Sequence, residues 1–225
     1  MPKLHLPSQT TLTPMSRLWF TADLHLGHGN IIKYCQRPFL SPEERKRARM
    51  NPRGLWKVSP ATVARHDEAL LDAINERVGE EDILWVLGDF SLAPLEQART
   101  YRERIRCRHV NLVRGNHDLA SYDALFERVL DQGMIKHQGK KIWLNHYPMR
   151  SWDKAFHAAW HLYGHVHGRL REEDAANPRL LTRDVGVDTC DFRPLSFEEI
   201  ADYMAPREAA FRAWRNSLEG ERGEE

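Results

Sequence analysis

Apolar, β-rich runs recur along the chain at 18–22, 83–87 (ILWVL), 110–113 (VNLV), 142–144 (IWL), 160–163 and 185–187. Several carry apolar residues on both faces, the pattern of strands buried inside a sheet. Between the first two runs, Val63, Leu70, Leu71, Ile74 and Val78 recur at helical spacing. Ser59 precedes them as the cap, with Pro60 at the first helical position. A second helix is predicted over about 94–106, again opening at a proline. Strands alternating with helices predict an α/β domain, in which ligands gather at the carboxyl ends of the strands.

The ends of the chain read differently. Residues 1–16, with Pro2, Pro7 and Pro14 among polar residues, have no period and predict a tail. From Leu195, LSFEEIADYMA and then REAAFRAWRNSLE predict helix interrupted near Pro206, and EGERGEE predicts a solvated acidic end. The expected organisation is a tail at 1–16, one domain at 17–205, and a C-terminal helix with acidic tail at 206–225.

Five short segments, each just after an apolar run, carry the chemistry. They are DLH at Asp23 to His25, GD at Gly88 and Asp89, GNHD at Gly115 to Asp118, His146 after IWLN, and GHVH at Gly164 to His167. Asp23, His25, Asp89, Asn116, His146, His165 and His167 offer carboxylate, imidazole and amide donors, which suit Mn, Fe, Ni or Zn. Side chains alternate along a strand, so a DxH or HxH pair at a strand end should put both members on one face. Asp89 stands alone, and a lone carboxylate between two half-sites is a natural bridge. Two divalent ions against two carboxylates leave such a site electropositive, as a phosphate ester requires.

In this order, from about Trp19 to about Asp188, the motifs resemble the calcineurin-like metallophosphoesterase family. The resemblance implies a two-sheet β-sandwich flanked by helices, in four αββα layers. It implies one metal held by Asp23, His25, Asp89 and His167, and a second held by Asp89, Asn116, His146 and His165. The ions would be two divalent or mixed-valence transition metals, Mn ahead of Fe, Ni or Zn. His117 would face the phosphate and leaving group as the acid, oriented by Asp118. The implied reaction is phosphodiesterase or phosphatase chemistry, by in-line attack of a hydroxide shared between the ions.

Composition narrows the partners. At 225 residues the chain fits one domain. Lys+Arg 33 against Asp+Glu 32 gives +1, so no global field favours a polyanion or an anionic membrane. Cys35, Cys107 and Cys190 lie outside every motif and fit a reducing, cytoplasmic setting, and no segment has the length of a membrane span. The expected substrate is a small or nucleotide-like phosphate ester, which His28 and Asn30, directly after the first ligand pair, could reach. Arg114 is expected against a carboxylate, and His157 or His161 could overhang the site. One local feature keeps nucleic acid open: EERKRARMNPRGLWK at 43–57 gathers Arg45, Lys46, Arg47, Arg49, Arg53 and Lys57 beside Trp56. If that connection folds over the metals, it forms a rim for a phosphodiester backbone, and the activity is that of a single-strand nuclease. A non-catalytic scaffold of the same fold is the reading from a different class, and the complete donor set speaks against it.

Overall fold

The computed structural model describes residues 16–51, 53–177 and 179–221. The tail expected at 1–16 therefore lies outside the described residues, apart from Ser16. Among the described residues nine strands form two sheets. The first holds β1 (Leu18–Thr21), β2 (Ile83–Val86), β3 (His109–Val113) and β4 (Arg128–Leu130), all parallel, with β9 (Leu195–Ser196) antiparallel on the far edge of β1. The second holds β5 (Gln132–His137), β6 (Lys140–Asn145), β7 (Trp160–Tyr163) and β8 (Thr182–Asp184) in that order. There β5 and β6 form an antiparallel hairpin and the rest are parallel. The hairpin turns at Gln138 and Gly139, both with positive φ (44° and 78°), as a tight two-residue turn requires.

Alternation along the strands explains the layers. Leu18, Phe20, Trp85, Leu87 and Val113 of the first sheet join Ile142, Leu144, Trp160 and Leu162 of the second in one buried cluster, so the sheets pack face to face. Their neighbours Trp19, Leu84, Val86, Val110 and Leu112 point the other way. They pack on Leu70, Leu71 and Ile74 of α3 (Pro60–Arg77) and on Ala98 and Tyr101 of α4 (Leu95–Arg104). Apolar residues on both faces thus meant a sheet between two layers. Two sheets with flanking helices is the architecture the family resemblance implied.

Two shorter helices lie between β1 and α3. They are α1 (Gly29–Tyr34) and α2 (Pro42–Met50), which share a small core of Ile31, Ile32, Leu40, Ala48 and Val58. Ser41 caps α2, and Glu44 closes the capping box. The Glu44 carboxylate also accepts from the Ser59 amide (2.7 Å) and the Thr62 hydroxyl (2.6 Å), tying the start of α2 to the start of α3.

Two expectations are corrected. The apolar run at 185–187 is not a strand; β8 lies earlier, at Thr182–Asp184, and Val187 opens a 3₁₀ turn. Secondly, the C-terminal helix is not interrupted. After α5 (Arg171–Ala176), α6 runs unbroken from Phe197 to Glu221 with Pro206 inside it. Pro206 forfeits a helical hydrogen bond, but its neighbours anchor the helix. Arg207 donates to the Asp174 and Leu180 carbonyls, while Glu208 accepts from Trp160 Nε1 and Lys140 Nζ. Phe211, beyond the proline, is buried in the inter-sheet core. Among the described residues no helix is long and apolar enough to cross a membrane.

Candidate metal centre

All the motif segments emerge where β1, β2, β3, β6 and β7 end, on one rim of the two sheets. The loop after β1 runs alongside the loop after β2: Asp23 N donates to Gly88 O (3.0 Å) and His25 N to Asp89 O (2.8 Å). Ala22 and Gly186 form a bridge that joins the first sheet to the end of the second. The backbones approach closely, and a Cβ at Gly88 would run into the His146 ring and one at Gly115 into the Asp89 carboxylate. Glycine at these two positions makes room for the donors.

Strand alternation is not what aligns the paired motifs. Asp23 and His25 lie beyond β1, and His165 and His167 beyond β7; all four, with Asp89, have left-handed backbones, φ 57°, 51°, 72°, 49° and 54° respectively. A left-handed residue turns the chain sharply, which carries the next side chain but one back toward the same point. The pairs converge as expected, by a different route.

The donors fall into two main groups. Asp23, His25 and His167 have donor atoms within 4.8 Å of one another, and so do Asp89, His146 and His165. Asp89 Oδ2 sits between the groups, 3.3 Å from His25 Nε2 and 3.5 Å from His146 Nε2. Asn116 Oδ1 is 3.2 Å from His146 Nε2, and His165 Nδ1 is also 3.2 Å from that atom. All seven expected ligands are brought together. His146 donates from Nδ1 to Leu87 O (2.9 Å) and His167 from Nδ1 to Asp188 (2.7 Å), so that each would turn its Nε2 to a cation that displaces the proton there.

Electrostatics favour a cation here. His25 Nε2 is buried without a hydrogen-bond partner. Burial pushes the Asp23 carboxyl up to about 7 and the His25 imidazole down to about 2. For Asp89 burial also pushes upward, but the His146 hydrogen bond and the imidazoles around it prevail and hold it at about 2. Carboxylates and imidazoles buried together this way are costly unless a cation compensates them. Carboxylate, imidazole and amide donors together fit a divalent metal.

His117 stands at the edge of the cluster. Its amide donates to Asp89 Oδ1 (2.9 Å), and its ring centre lies 5.2 Å from that of His25 and 5.7 Å from that of His28. It also joins His25 and Asp89 in a third group of donors within 4.8 Å, so geometry alone admits it as acid or as ligand. Asp118 departs from the implied role. Its carboxylate accepts from the amides of Asp89, Phe90 and Gly115, each at 2.9 Å, and among the described residues it makes no hydrogen bond to the His117 ring. Asp118 clamps the β2 and β3 loops together instead of orienting the acid. His28 reaches the centre, its Nδ1 3.3 Å from His25 Nδ1, and burial lowers it to about 4. Asn30 is exposed and lines, with His28 and Lys57, a cleft of about 450 Å³.

The remaining histidines stay apart. His161 is buried inside β7 between the Trp152 and Tyr163 rings, and His157 is exposed before β7 begins, so neither lies beyond the strand end that carries His165. Arg114 pairs with Asp123 and Asp131, as expected.

Sequence reasoning missed a buried support. Arg37 is wholly enclosed and grips both oxygens of Asp188 (2.9 and 2.7 Å), the carboxylate that holds His167. It also donates to the Asp23 and Leu24 carbonyls and to His66 Nε2 (2.7 Å), while His66 Nδ1 donates to Asp67. Cys35 lies within 4.8 Å of the same His167 and Asp188 donors. Asp188 carried a usable signal, since it follows the apolar run 185–187 just as the motif residues follow theirs. Arg37 had none.

One prediction separates the two groups. Asn116→Ala should leave the Asp23, His25 and His167 group loaded and empty the other, giving about one tightly held ion per chain by elemental analysis. Loss of both ions would show that the groups are not separable.

The profile of the calcineurin-like phosphoesterase superfamily domain matches residues 65–182, more than half of the chain. An uncharacterized protein of Methanocaldococcus jannaschii is 30% identical over 189 residues, covering 83% of this chain and 90% of that protein. The gene 66 protein of Mycobacterium phage D29 is 25% identical over 205 residues, covering 77% of this chain and 89% of its own length. The crystal structure of a protein of unknown function from Aquifex aeolicus shares the fold, with a TM-score of 0.61 at 22% identity over 84% of this chain and 99% of that one. The profile match, over more than half of its length, shows that this chain belongs to the calcineurin-like phosphoesterase superfamily.

Proposed function

We propose that the protein is a dinuclear metal-dependent hydrolase of phosphoric esters, acting on phosphodiester or phosphomonoester bonds of small or nucleotide-like substrates. The reading is carried by Asp89, one carboxylate within 3.5 Å of an imidazole from each donor group. Asp23, His25, Asp89 and His167 would hold one ion, and Asp89, Asn116, His146 and His165 the other, with Mn ahead of Fe, Ni or Zn. When bound, the two ions supply a nucleophile at neutral pH and offset charge on the phosphoryl oxygens.

The chain's own residues do the rest. His117, half-buried at the edge of the cluster, hands a proton to the leaving oxygen. His28 lies beside it and opens onto the cleft shared with Asn30, where the alcohol half of the ester would lie. Arg37, through Asp188, fixes the His167 tautomer and ring plane.

The test is reconstitution. Protein stripped with a chelator should be inactive, and Mn²⁺ should restore hydrolysis of bis(p-nitrophenyl) phosphate or p-nitrophenyl phosphate. A protein that binds two ions of Mn, Fe, Ni or Zn yet turns over neither ester is a scaffold, and the proposal fails.

A further inference from the structure

Six cations on one segment have no counter-charge. Among the described residues the side chains of Arg45, Lys46, Arg47, Arg49, Arg53 and Lys57 make no ion pair or hydrogen bond, and all six are exposed. Elsewhere on the surface Arg77, Arg104, Arg108 and Arg114 each meet a carboxylate. In a chain of net charge +1 such a cluster is a local field, not a global one.

The fold sets this cluster beside the metal centre. Gly29, next to His28, packs so closely that a Cβ there would touch Val58 and Val63, at 3.3 and 3.2 Å. Lys33 of α1 donates to the Gly54 and Trp56 carbonyls (2.8 and 2.9 Å), which pins the loop after α2 against the first motif. Lys57 consequently shares a cleft wall with His28 and Asn30. Further along, Arg45 and Arg49, one helical turn apart on α2, line a second cavity of about 260 Å³ with Gln36.

Aromatic rings are interleaved with the charges. The Lys33 ammonium lies 5.0 Å from the centre of the Trp56 ring and 5.2 Å from that of Tyr34, and Trp56 Nε1 is tied to Asn51 O (3.1 Å). Tyr34 is 49% exposed. Fixed rings among cations match an unpaired strand, whose phosphates need charge and whose bases need a stacking face. An anionic lipid surface fits less well. An interfacial helix requires an apolar face, whereas α2, PEERKRARM, has Met50 as its one large apolar residue.

We infer that α2 and the loop to Lys57 form a rim that binds single-stranded nucleic acid and leads its backbone past His28 to the metal centre. This rests on the phosphoesterase reading of that centre and narrows its substrate to a polynucleotide strand.

The experiment uses full-length, metal-loaded protein and a fluorescein-labelled single-stranded 20-mer. Binding is followed by anisotropy across a salt series in the His117→Asn background, which slows turnover. The triple variant Arg45→Ala, Arg47→Ala, Arg49→Ala should lower the slope of log affinity against log salt by about 2, three contacts at roughly 0.7 each. The matching Arg→Lys triple should restore it. Trp56→Ala should weaken binding roughly tenfold with little change in slope. With His117 restored, the alanine triple should hydrolyse bis(p-nitrophenyl) phosphate as the parent does.

An unchanged slope overturns the rim. So does binding of the basic segment to phosphatidylglycerol vesicles in preference to the strand, or an equal loss of the alanine triple on the small ester. Strand binding without any ester turnover would keep the rim and remove the active-site reading, so the two failures are distinguishable.

Discussion

Asp89→Asn should cost the protein both ions and with them its activity. The Asp89 Oδ2 atom lies 3.3 Å from His25 Nε2 in one donor group and 3.5 Å from His146 Nε2 in the other, so this one carboxylate would serve both. Asparagine replaces that charged pair of oxygens by one neutral acceptor and a donor amide, whose hydrogens repel a cation. Partners one layer farther out are already worth 10–100-fold in metal affinity, so removing the shared carboxylate should weaken each ion by at least about 10²-fold. The retained amide oxygen can still accept from His117 N, as Oδ1 does now at 2.9 Å, which favours a folded variant. Elemental analysis and a thermal melt make the check: a folded variant that still holds two tight ions removes Asp89 from the shared position.

His117→Asn should behave in the opposite way, keeping both ions while kcat falls by about 10²–10⁴, the range for a lost proton-transfer group. The decrease should shrink for nitrophenolate, a stable anion that scarcely needs a proton, and grow for alkoxide leaving groups. The geometry makes this a sharp question, because His117 also belongs to a donor group with His25 and Asp89. A variant that loses an ion, or that is equally impaired whatever the leaving group, makes His117 a ligand. Metal content and leaving-group dependence therefore decide between roles that distance alone leaves equal.

What the sequence disclosed and what it concealed follow from physics. The central strands and α3 were legible because burial on two sides leaves unbroken apolar runs and one-sided burial leaves helical spacing. Short edge elements leave neither: β4 and β9 span Arg128–Leu130 and Leu195–Ser196, too brief for a period. The strand β8 hid behind Thr182 and Asp184, polar residues buried by specific hydrogen bonds, while the apolar run just after it drew the assignment. Pro206 suggested a break because a lone helix would end there, and Arg207 and Glu208 supply the tertiary bonds that carry α6 through. At the centre, residue types announced the donors, but Arg37 acts across 151 positions of sequence on Asp188, and no local pattern encodes that. Asp118 shows the converse, a residue in the right motif whose carboxylate is spent on three backbone amides.

The left-handed backbones of Asp23, His25, Asp89, His165 and His167 set a limit on how stable this protein can become. Each costs of order 1 kcal/mol that glycine would not incur, yet glycine has no side chain with which to bind anything. Evolution in the laboratory for heat resistance alone, blind to turnover, should drift toward glycine at His25 and His165, though not at Asp23 and Asp89, whose carboxylates accept the His165 and His117 amides. The fold would tighten as its chemistry disappeared, and the wild-type residues there are best understood as instability retained for use.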